Sequence, residues 1–286
     1  MNDVQQHSVP TGDGRTLTGT TAGPASGLPL LFIAGAATGK RMTFGDEYLA
    51  DRGLRLITMD RPGIGDSTAD KGRTAATTAN DYRSFVAAVT GSNETFAAVA
   101  NSQGSVFGLE LAAQGALSRL VLASPADEIA FPTIHDMLPT EATMLSDLAN
   151  SSPDEAAAVL RGFSAIDMEQ MVMAGSHPDD VAWYQRSPFI EQYRAALAEG
   201  FANEGSGYVT DTLIAMQHWN VDLDAIECPV QVLFGVNDQT HSPDHGATLT
   251  GRIPGASRAV FDDAGGALLW SHAAIVLDAA LGKLEG

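Results

Sequence analysis

A serine at the end of an apolar run is the residue of this sequence whose setting most clearly points to chemistry. Ser102 follows the apolar residues 96–100, and Gly104 and an apolar-periodic stretch come directly after it. A sharp strand-to-helix turn of this kind lifts a serine hydroxyl out at the end of a sheet. It also places backbone N–H groups and a helix N-terminus beside that hydroxyl. The pattern therefore indicates a nucleophilic serine.

The motif departs from the usual Gly-x-Ser-x-Gly pattern at one position. The chain reads Ala100-Asn101-Ser102-Gln103-Gly104, so alanine replaces the first glycine. Alanine adds only one methyl group, which makes it the mildest replacement at a crowded turn. Because serine between small residues is also common in ordinary turns, the rest of the chain must support the catalytic interpretation.

Hydrophobic patterning predicts an α/β fold around this serine. A hairpin is expected at 7–10 and 16–21, and continuous apolar runs predict buried strands at 28–34, 54–59, 96–100, 119–123, 229–235 and 258–261. Helical patterns lie between the strands, at 44–52, 74–89, 102–115, 245–252 and 267–284. Alternating strands and helices predict a mostly parallel central sheet with helices on both faces.

The pattern changes over residues 126–226, where no strand-like run occurs. A capping box, Ser-Pro-Asp-Glu at 152–155, predicts one helix start, and 189–201 predicts another helix. We interpret the region as an all-helical lid inserted into a core made of residues 1–125 and 227–286. Six of the nine methionines lie in this region, namely Met137, Met144, Met168, Met171, Met173 and Met216. They either fill the lid's own core or form a pliable apolar wall of a pocket.

Composition limits the classes of partner. The chain has 286 residues, 44% of them hydrophobic, which is enough for one large domain with an inserted lid. Its net charge of −19 argues against nucleic acid and anionic membrane surfaces as partners. Neither a membrane-length apolar run, a signal peptide nor a metal-spaced Cys/His cluster is found, and Cys228 is the only cysteine. We expect a cytoplasmic monomer or homodimer that acts on a small molecule without a cofactor or metal.

Four segments, in their order and spacing, resemble the α/β-hydrolase superfamily over nearly the whole chain. They are the strand and glycine turn at 28–35, the Asp-Arg-Pro-Gly loop within 56–68, the serine turn at 98–105, and the strand and turn at 228–243. The helical insertion falls where this family places its cap. The resemblance implies an α/β-hydrolase fold with the lid inserted before the strand that carries the acid.

Carried over by position, the resemblance makes Ser102 the nucleophile and Asp238 the acid of a Ser-His-Asp triad. It also implies that the backbone N–H groups of Ala36 and Gln103 form the oxyanion hole, beside the turn at Gly35. A serine hydroxyl is a poor nucleophile until a base takes its proton, so the position of the histidine decides what this site can do.

The family's histidine is missing from its usual place. It normally follows the last strand, where this chain has Gly266. Glycine has no proton acceptor in its side chain, and losing such a histidine costs about a million-fold in turnover. His241, three residues after Asp238, is the best substitute, although loop histidines are often solvated turn residues. His218, beside Trp219 where the lid rejoins the sheet, either faces the pocket or packs elsewhere.

Three functions therefore remain open. The preferred one is an enzyme without a working triad that performs a non-hydrolytic tailoring step in secondary metabolism, such as addition, cyclisation, carbon–carbon bond formation or epoxide opening. Its substrate would be an apolar molecule, for example an aromatic or polyketide-like one, held by positioning and hydrogen bonds. The alternatives are a serine esterase with a relocated histidine and a non-enzymatic binding protein. Beyond the oxyanion-hole residues, the expected ligand contacts are Asn101, His218, Trp219, His241 and Trp270.

Overall fold

The apolar runs form the eight strands of one sheet in the computed structural model, which describes residues 4–284. The strands are β1 (Gln5–Pro10), β2 (Thr16–Ala22), β3 (Leu28–Ile33), β4 (Leu54–Met59), β5 (Phe96–Ser102), β6 (Leu117–Pro125), β7 (Val230–Gly235) and β8 (Ser257–Phe261). Their spatial order is β1-β2-β4-β3-β5-β6-β7-β8. The first and last strands of the chain therefore lie at opposite edges of the sheet.

Strand direction confirms the prediction of a mostly parallel sheet with an N-terminal hairpin. β1 pairs antiparallel with β2, and β2 pairs antiparallel with β4. Every pair from β4 through β3, β5, β6 and β7 to β8 is parallel. The carboxyl ends of the parallel strands thus share one edge of the sheet, which is the edge where open α/β sheets bind ligands.

Thirteen α-helices complete the fold within the described residues. They are α1 (Leu49–Arg52), α2 (Ala75–Thr90), α3 (Ser105–Ala113), α4 (Pro132–His135), α5 (Thr140–Ser151), α6 (Pro153–Arg161), α7 (Ala165–Gly175), α8 (Pro178–Tyr184), α9 (Phe189–Gly200), α10 (Ser206–Met216), α11 (Ala247–Arg252), α12 (Leu268–Ser271) and α13 (Ala273–Ala280). Helices α4 to α10 all lie between β6 and β7, and we use the word lid below as a label for this helical insertion. Over residues 4–284, none of the helices has the length and apolar character needed to cross a bilayer.

Three local predictions differ from the structure. The helix expected over 44–52 is interrupted by Gly45, whose φ of 64° precedes a single 3₁₀ turn and the short α1. The helix expected over 267–284 breaks at His272 into α12 and α13. The capping box at Ser152 does not form, because the Ser152 backbone N–H caps the end of α5 and its side chain makes no capping bond.

Two apolar cores cover the two faces of the sheet. Successive side chains of a strand point to opposite faces, so β3 gives Phe32 to one core and Leu31 and Ile33 to the other. The Leu31 face packs against α2 and α3. The Phe32 face packs against α13 and against lid residues that include Tyr184 and Phe189. The lid therefore shares a core with one face of the sheet.

Candidate active site

Ser102 lies at the tight turn that the sequence predicts. It ends β5 with a φ of 50°, a left-handed conformation that non-glycine residues rarely adopt. The backbone N–H of Gly104 donates to the Asn101 carbonyl oxygen at 2.8 Å, and α3 starts at the next residue. A Cβ atom on Gly104 would lie 2.5 Å from the carbonyl oxygen of Ile33. Glycine at 104 is therefore required by the close approach of the β3 backbone.

The alanine at position 100 is accommodated by a second glycine. A Cβ atom on Gly108 would lie 2.9 Å from the Cβ of Ala100 and 3.2 Å from a methyl of Leu120. Gly108 is in α3, which packs directly on β5 at this level. The methyl group that Ala100 adds thus occupies space that glycine in the facing helix leaves free, and the departure from the usual motif does not distort the turn.

The loop after β3 lies against the serine. A Cβ atom on Gly35 would lie 3.1 Å from the Ser102 Cβ, which is tighter than an ordinary contact, so glycine leaves room here for the serine side chain. Ala36 and Gln103, which follow Gly35 and Ser102, line the same cavity as Ser102. Asn101 also lines it, but its Nδ2 donates to the Ala123 carbonyl oxygen at 2.8 Å. The amide nitrogen of Asn101 is therefore engaged in a bond to the backbone of β6.

His241 forms a hydrogen-bonded pair with Asp238 in the turn after β7. Its Nδ1 lies 3.0 Å from each carboxylate oxygen. Asp238 is buried, and its Oδ1 also accepts the backbone N–H groups of Thr240 and His241 at 3.2 and 3.3 Å. Because the two ring nitrogens lie on different sides of the imidazole, this bond directs Nε2 away from the carboxylate. His241 itself lines the cavity that contains Ser102.

The pair sets the protonation of both partners. Burial by itself would raise the pKa of Asp238, but the charge of His241 and its hydrogen bond outweigh burial and lower the pKa to about 2. Burial would lower the pKa of His241, but the Asp238 carboxylate outweighs it and raises that pKa above its usual value. Asp238 is therefore ionised at neutral pH and stabilises a positive charge on the imidazole.

Gly266 and His241 share one small region of space. A Cβ atom on Gly266 would lie 3.5 Å from His241 Cε1, 3.7 Å from Asp238 Oδ1 and 3.6 Å from the Tyr184 hydroxyl. A Cβ atom would fit there in ordinary contact, and a longer side chain at 266 would extend toward His241, Asp238 and Tyr184. The imidazole of His241 lies beside the position from which the family's usual histidine would extend.

The lid holds the glycine loop in place through Asp180 of α8. Its two carboxylate oxygens accept the backbone N–H groups of Gly266 and Ala267 at 2.9 and 3.0 Å. Asp180 is buried, and burial raises its pKa. A Cβ atom on Gly265 would lie 2.2 Å from the Asp180 carboxylate, so this contact requires glycine there too.

Two consecutive residues after β6 connect the serine turn to the histidine loop. The N–H of Ala126 donates to the Ser102 carbonyl oxygen at 3.0 Å, and the N–H of Asp127 donates to the His241 carbonyl oxygen at 3.1 Å. The Ser242 hydroxyl donates to Asp127 Oδ2, also at 3.0 Å. Burial raises the pKa of Asp127 to about 6. These bonds fix the backbones that carry Ser102 and His241 relative to one another.

The cavity at this edge of the sheet has a volume of about 420 Å³ and a mostly apolar wall. Ring contacts connect several of its aromatic residues, with Phe189 at 5.1 Å from Trp270 and 5.6 Å from Tyr184 between ring centroids. Trp270 Nε1 donates to the Thr43 carbonyl oxygen, which fixes that indole. The apolar wall consists of Met42, Ile129, Met168, Met171, Val172, Tyr184, Phe189, Tyr193, Met216 and Trp270.

The lid methionines divide between the two interpretations. Met168, Met171 and Met216 line the cavity. Met173 packs against the core on the lid side of the sheet. Met137 and Met144 are exposed at the surface, so these two serve neither role.

Two residues expected at the site lie outside it. The His218 side chain is 64% exposed and its Nδ1 is 3.7 Å from Glu128 Oε1. Trp219 packs against the core on the opposite face of the sheet, and its indole N–H donates to the Ala215 carbonyl oxygen. The chain rejoins the sheet with both side chains turned from the cavity, and neither is among its lining residues. The other predicted residues that line it are Gly35, Ala36, Asn101, Ser102, Gln103, His241 and Trp270.

Asp127, Asp180 and Tyr184 were not identified from the sequence. Asp127 carries a usable signal, because it follows a predicted strand at the edge where the parallel strands end. Asp180 and Tyr184 lie in α8, and only the packing of the lid brings them to the glycine loop. No group of three or more His, Cys, Asp or Glu residues suited to a metal ion occurs in the part of the chain that the structure describes.

Comparison with known proteins agrees with this architecture. A family model described as the alpha/beta hydrolase fold matches residues 29–273. Among solved structures, a hydrolase from Pseudomonas aeruginosa is 20% identical with a TM-score of 0.70, over 97% of this chain and 98% of that one. An esterase from Thermogutta terrifontis is 18% identical with a TM-score of 0.67, over 97% of each chain.

A third similar structure is an enol-lactonase from Burkholderia xenovorans. It is 17% identical with a TM-score of 0.63, over 98% of this chain and 97% of that one. A search of curated protein sequences found no significant match. At these identities the structural similarity establishes a shared fold, and the chemistry of this chain has to be argued from its own residues.

Proposed function

Because the chain belongs to the α/β-hydrolase family, we propose that it hydrolyses carboxylic esters through a triad of Ser102, His241 and Asp238. The observation that supports this most directly is the bond from His241 Nδ1 to both oxygens of Asp238, beside the empty side-chain position of Gly266. The base has moved along the chain from the loop after β8 to the loop after β7, and its orienting carboxylate has stayed.

The proposed reaction follows the usual two steps. The Ser102 oxygen attacks the ester carbonyl carbon, and its proton passes to Nε2 of His241. The imidazolium then gives this proton to the leaving alkoxide as the carbon–oxygen bond breaks, which leaves an acyl group on Ser102. Water next attacks this acyl group while His241 accepts its proton, and Ser102 recovers a proton as the carboxylic acid leaves.

The remaining groups have defined roles in this scheme. Asp238 holds the imidazole in the tautomer with a proton on Nδ1 and stabilises the imidazolium. The N–H groups of Ala36 and Gln103 are proposed to bind the oxyanion that forms on the carbonyl oxygen. The Ser102 and His241 loops are joined through Ala126 and Asp127. In serine enzymes without substrate, the bond between nucleophile and base is often long and shortens when the substrate binds.

The cavity supports an apolar substrate of modest size. Its volume of about 420 Å³ falls in the range of small-molecule sites, and its wall is formed largely by methionine and aromatic side chains. We therefore propose an ester or lactone with an aromatic or aliphatic body. The names of two similar structures, an esterase and an enol-lactonase, agree with this class.

The non-hydrolytic hypothesis depended on the absence of an imidazole near the serine. His241 argues against that premise, because a histidine paired with Asp238 lines the same cavity as Ser102. Addition, cyclisation, carbon–carbon bond formation and epoxide opening in secondary metabolism have no further support from the geometry. They become outcomes of the test described next.

The test combines a fluorophosphonate probe with a panel of p-nitrophenyl esters. We expect hydrolysis of esters with medium-length or aromatic acyl groups, and covalent labelling that peptide mapping places on Ser102. Ser176 provides an internal comparison, since it lines the same cavity but its hydroxyl donates to the Val172 carbonyl oxygen. Ser102→Ala should abolish both labelling and turnover. A parent protein that binds these esters without hydrolysing them, and is not labelled, would refute the proposal.

A further inference from the structure

Arg61 is a buried cation that the proposed reaction does not use. It follows β4 in the Asp-Arg-Pro-Gly loop and is 1% exposed, the largest fully buried side chain of the described residues. Burying a guanidinium is costly unless its N–H groups are paired. The hydrogen-bond partners of Arg61 therefore indicate which segments of the chain it positions.

The guanidinium connects the lid to the loop after β3, residues 34–38, which we call the oxyanion loop because it carries the proposed donor Ala36. Nη1 donates to the Ala34 carbonyl oxygen and Nη2 to the Gly35 carbonyl oxygen, both at 2.9 Å. Nε donates to Oδ2 of Asp211, in lid helix α10, at 2.6 Å. Nη1 also lies 3.3 Å from the Tyr82 hydroxyl. One planar side chain thus donates hydrogen bonds to two successive carbonyl groups of the loop after β3.

The Gly35 carbonyl and the Ala36 N–H belong to the same peptide unit. This unit is planar and trans, so its C=O and N–H bonds point in opposite directions. Fixing the carbonyl oxygen on Arg61 therefore fixes the direction of the Ala36 N–H on the other side of the peptide. The same oxygen accepts a second bond from the Thr38 hydroxyl at 3.1 Å.

The bond from Arg61 to the Gly35 carbonyl oxygen also affects the strength of the Ala36 N–H as a hydrogen-bond donor. A hydrogen bond from a cation to the carbonyl polarises the peptide and makes its N–H a better donor, because linked hydrogen bonds strengthen one another in a low-dielectric interior. Asp211 keeps the guanidinium in place, and it also pairs with Arg73. Arg73 donates to Asp211, Thr78 and the Gly207 carbonyl oxygen, none of which belongs to the oxyanion loop.

We propose that Arg61 is a positioning residue for the oxyanion hole, which aims and polarises the Ala36 N–H through the Gly35 carbonyl. This inference rests on the proposed ester hydrolysis. The effect should act when negative charge develops on the substrate oxygen and hardly at all when substrate binds. Removing it should therefore lower kcat and leave KM nearly unchanged.

Arg61→Lys is the first variant to make. Lysine keeps the positive charge but cannot present three fixed N–H directions to Ala34, Gly35 and Asp211 together. Losing one oxyanion-hole donor costs roughly a hundred- to a thousand-fold in kcat, so a misaimed Ala36 should cost about a hundred-fold. Arg73→Lys is the matched control, because it perturbs the same Asp211 carboxylate without touching the loop.

The deciding measurement compares an ester with its thionoester, in which sulfur replaces the carbonyl oxygen. Sulfur accepts hydrogen bonds poorly, so the parent should hydrolyse the oxygen ester much faster. In Arg61→Lys this preference should fall at least ten-fold, and in Arg73→Lys it should stay within two-fold of the parent. An unchanged preference in Arg61→Lys, or an equal fall in both variants, would overturn the inference.

A second variant covers the case in which Arg61→Lys does not fold. Thr38→Val removes the other donor to the Gly35 oxygen with little change in volume, and should lower the oxygen-ester preference about three-fold. No change there would contradict the inference. If the parent hydrolyses neither substrate and Ser102 is not labelled, the proposed function itself fails and this inference fails with it.

Discussion

The two halves of the candidate site follow the family pattern to different extents. On the side of β3 and β5, Ser102 and the glycines at 35 and 104 occupy the positions that the family pattern assigns, and close contacts with neighbouring atoms explain the two glycines. On the side of β7 and β8, Asp238 is in its expected position, but the usual histidine position is a glycine, and the imidazole paired with Asp238 is that of His241, the proposed base.

The difference reflects what each half has to position. Backbone N–H groups and a strained serine depend on the path of the main chain, which tolerates few alternatives. An imidazole needs only to reach the space between a carboxylate and the serine, and a side chain can reach that space from more than one loop. In the proposed triad, the base is therefore the member that can move along the chain while the others stay.

The largest expected effect is on the base itself. His241→Gln should lower kcat for ester hydrolysis by about a million-fold, since removing the histidine of a serine triad disables the nucleophile. Steady-state and single-turnover assays on a p-nitrophenyl ester would measure it. His218→Gln is the control and should keep parental activity, because that side chain is exposed at Glu128. If His218→Gln lost the activity instead, the assignment of the base would be wrong.

Removing the charge of the acid should have a smaller effect. Asp238→Asn should lower kcat by about ten-thousand-fold, because the amide cannot hold the Nδ1-protonated tautomer or stabilise the imidazolium. The two oxygens of Asp238 lie equally close to Nδ1, so either can be replaced by the amide nitrogen. The same ester assay measures the loss. A decrease of less than ten-fold would indicate that another carboxylate orients His241.

Placing the family's histidine at position 266 tests whether the site lacks a base or already has one in His241. Gly266→His should lower kcat/KM roughly ten- to a hundred-fold, since small misplacements of catalytic groups cost this much. The new side chain would start 3.5 Å from His241 Cε1 and compete for Asp238. Adding His241→Gly to this variant should recover part of the activity. A large gain from Gly266→His alone would show that the parent lacks a working base.

The smallest expected effect is a shift of the pH profile. His241 must be neutral to accept the serine proton, and Asp238 raises its pKa, so kcat/KM should rise with pH through a midpoint above 6.5. In Asp238→Asn, burial lowers the pKa of His241 and only the charge of Asp180 still raises it, so the midpoint of the residual activity should move to lower pH. A midpoint that stays in place in this variant would exclude His241 as the titrating group.

Much of the site could be predicted from sequence because its signals are local. An apolar run followed by Ser102 and Gly104 specifies a strand and a tight turn, and Asp238 follows the next-to-last strand of the sheet. The order of strands places these turns at one edge. His241 was a candidate by its distance of three residues from Asp238, but sequence could not separate it from a solvated loop histidine.

The remaining errors concern side-chain direction. His218 and Trp219 are close to the lid boundary in sequence, yet the chain returns to the sheet with both turned from the cavity. Nothing in a hydropathy pattern encodes that rotation. Asp180 could not be identified from the sequence for a related reason. Its partners, the N–H groups of Gly266 and Ala267, are 86 and 87 residues away along the chain.

Strand and turn patterns by themselves determined the sheet, the serine turn and the acid, because each follows from the conformations open to a few neighbouring residues. Tertiary structure decided which histidine lies beside Asp238 and which buried cation bonds the loop after β3. Those choices depend on contacts between segments far apart in sequence, such as α8 against the Gly266 loop and Arg61 against Asp211. The packing of the lid on the sheet brings them together.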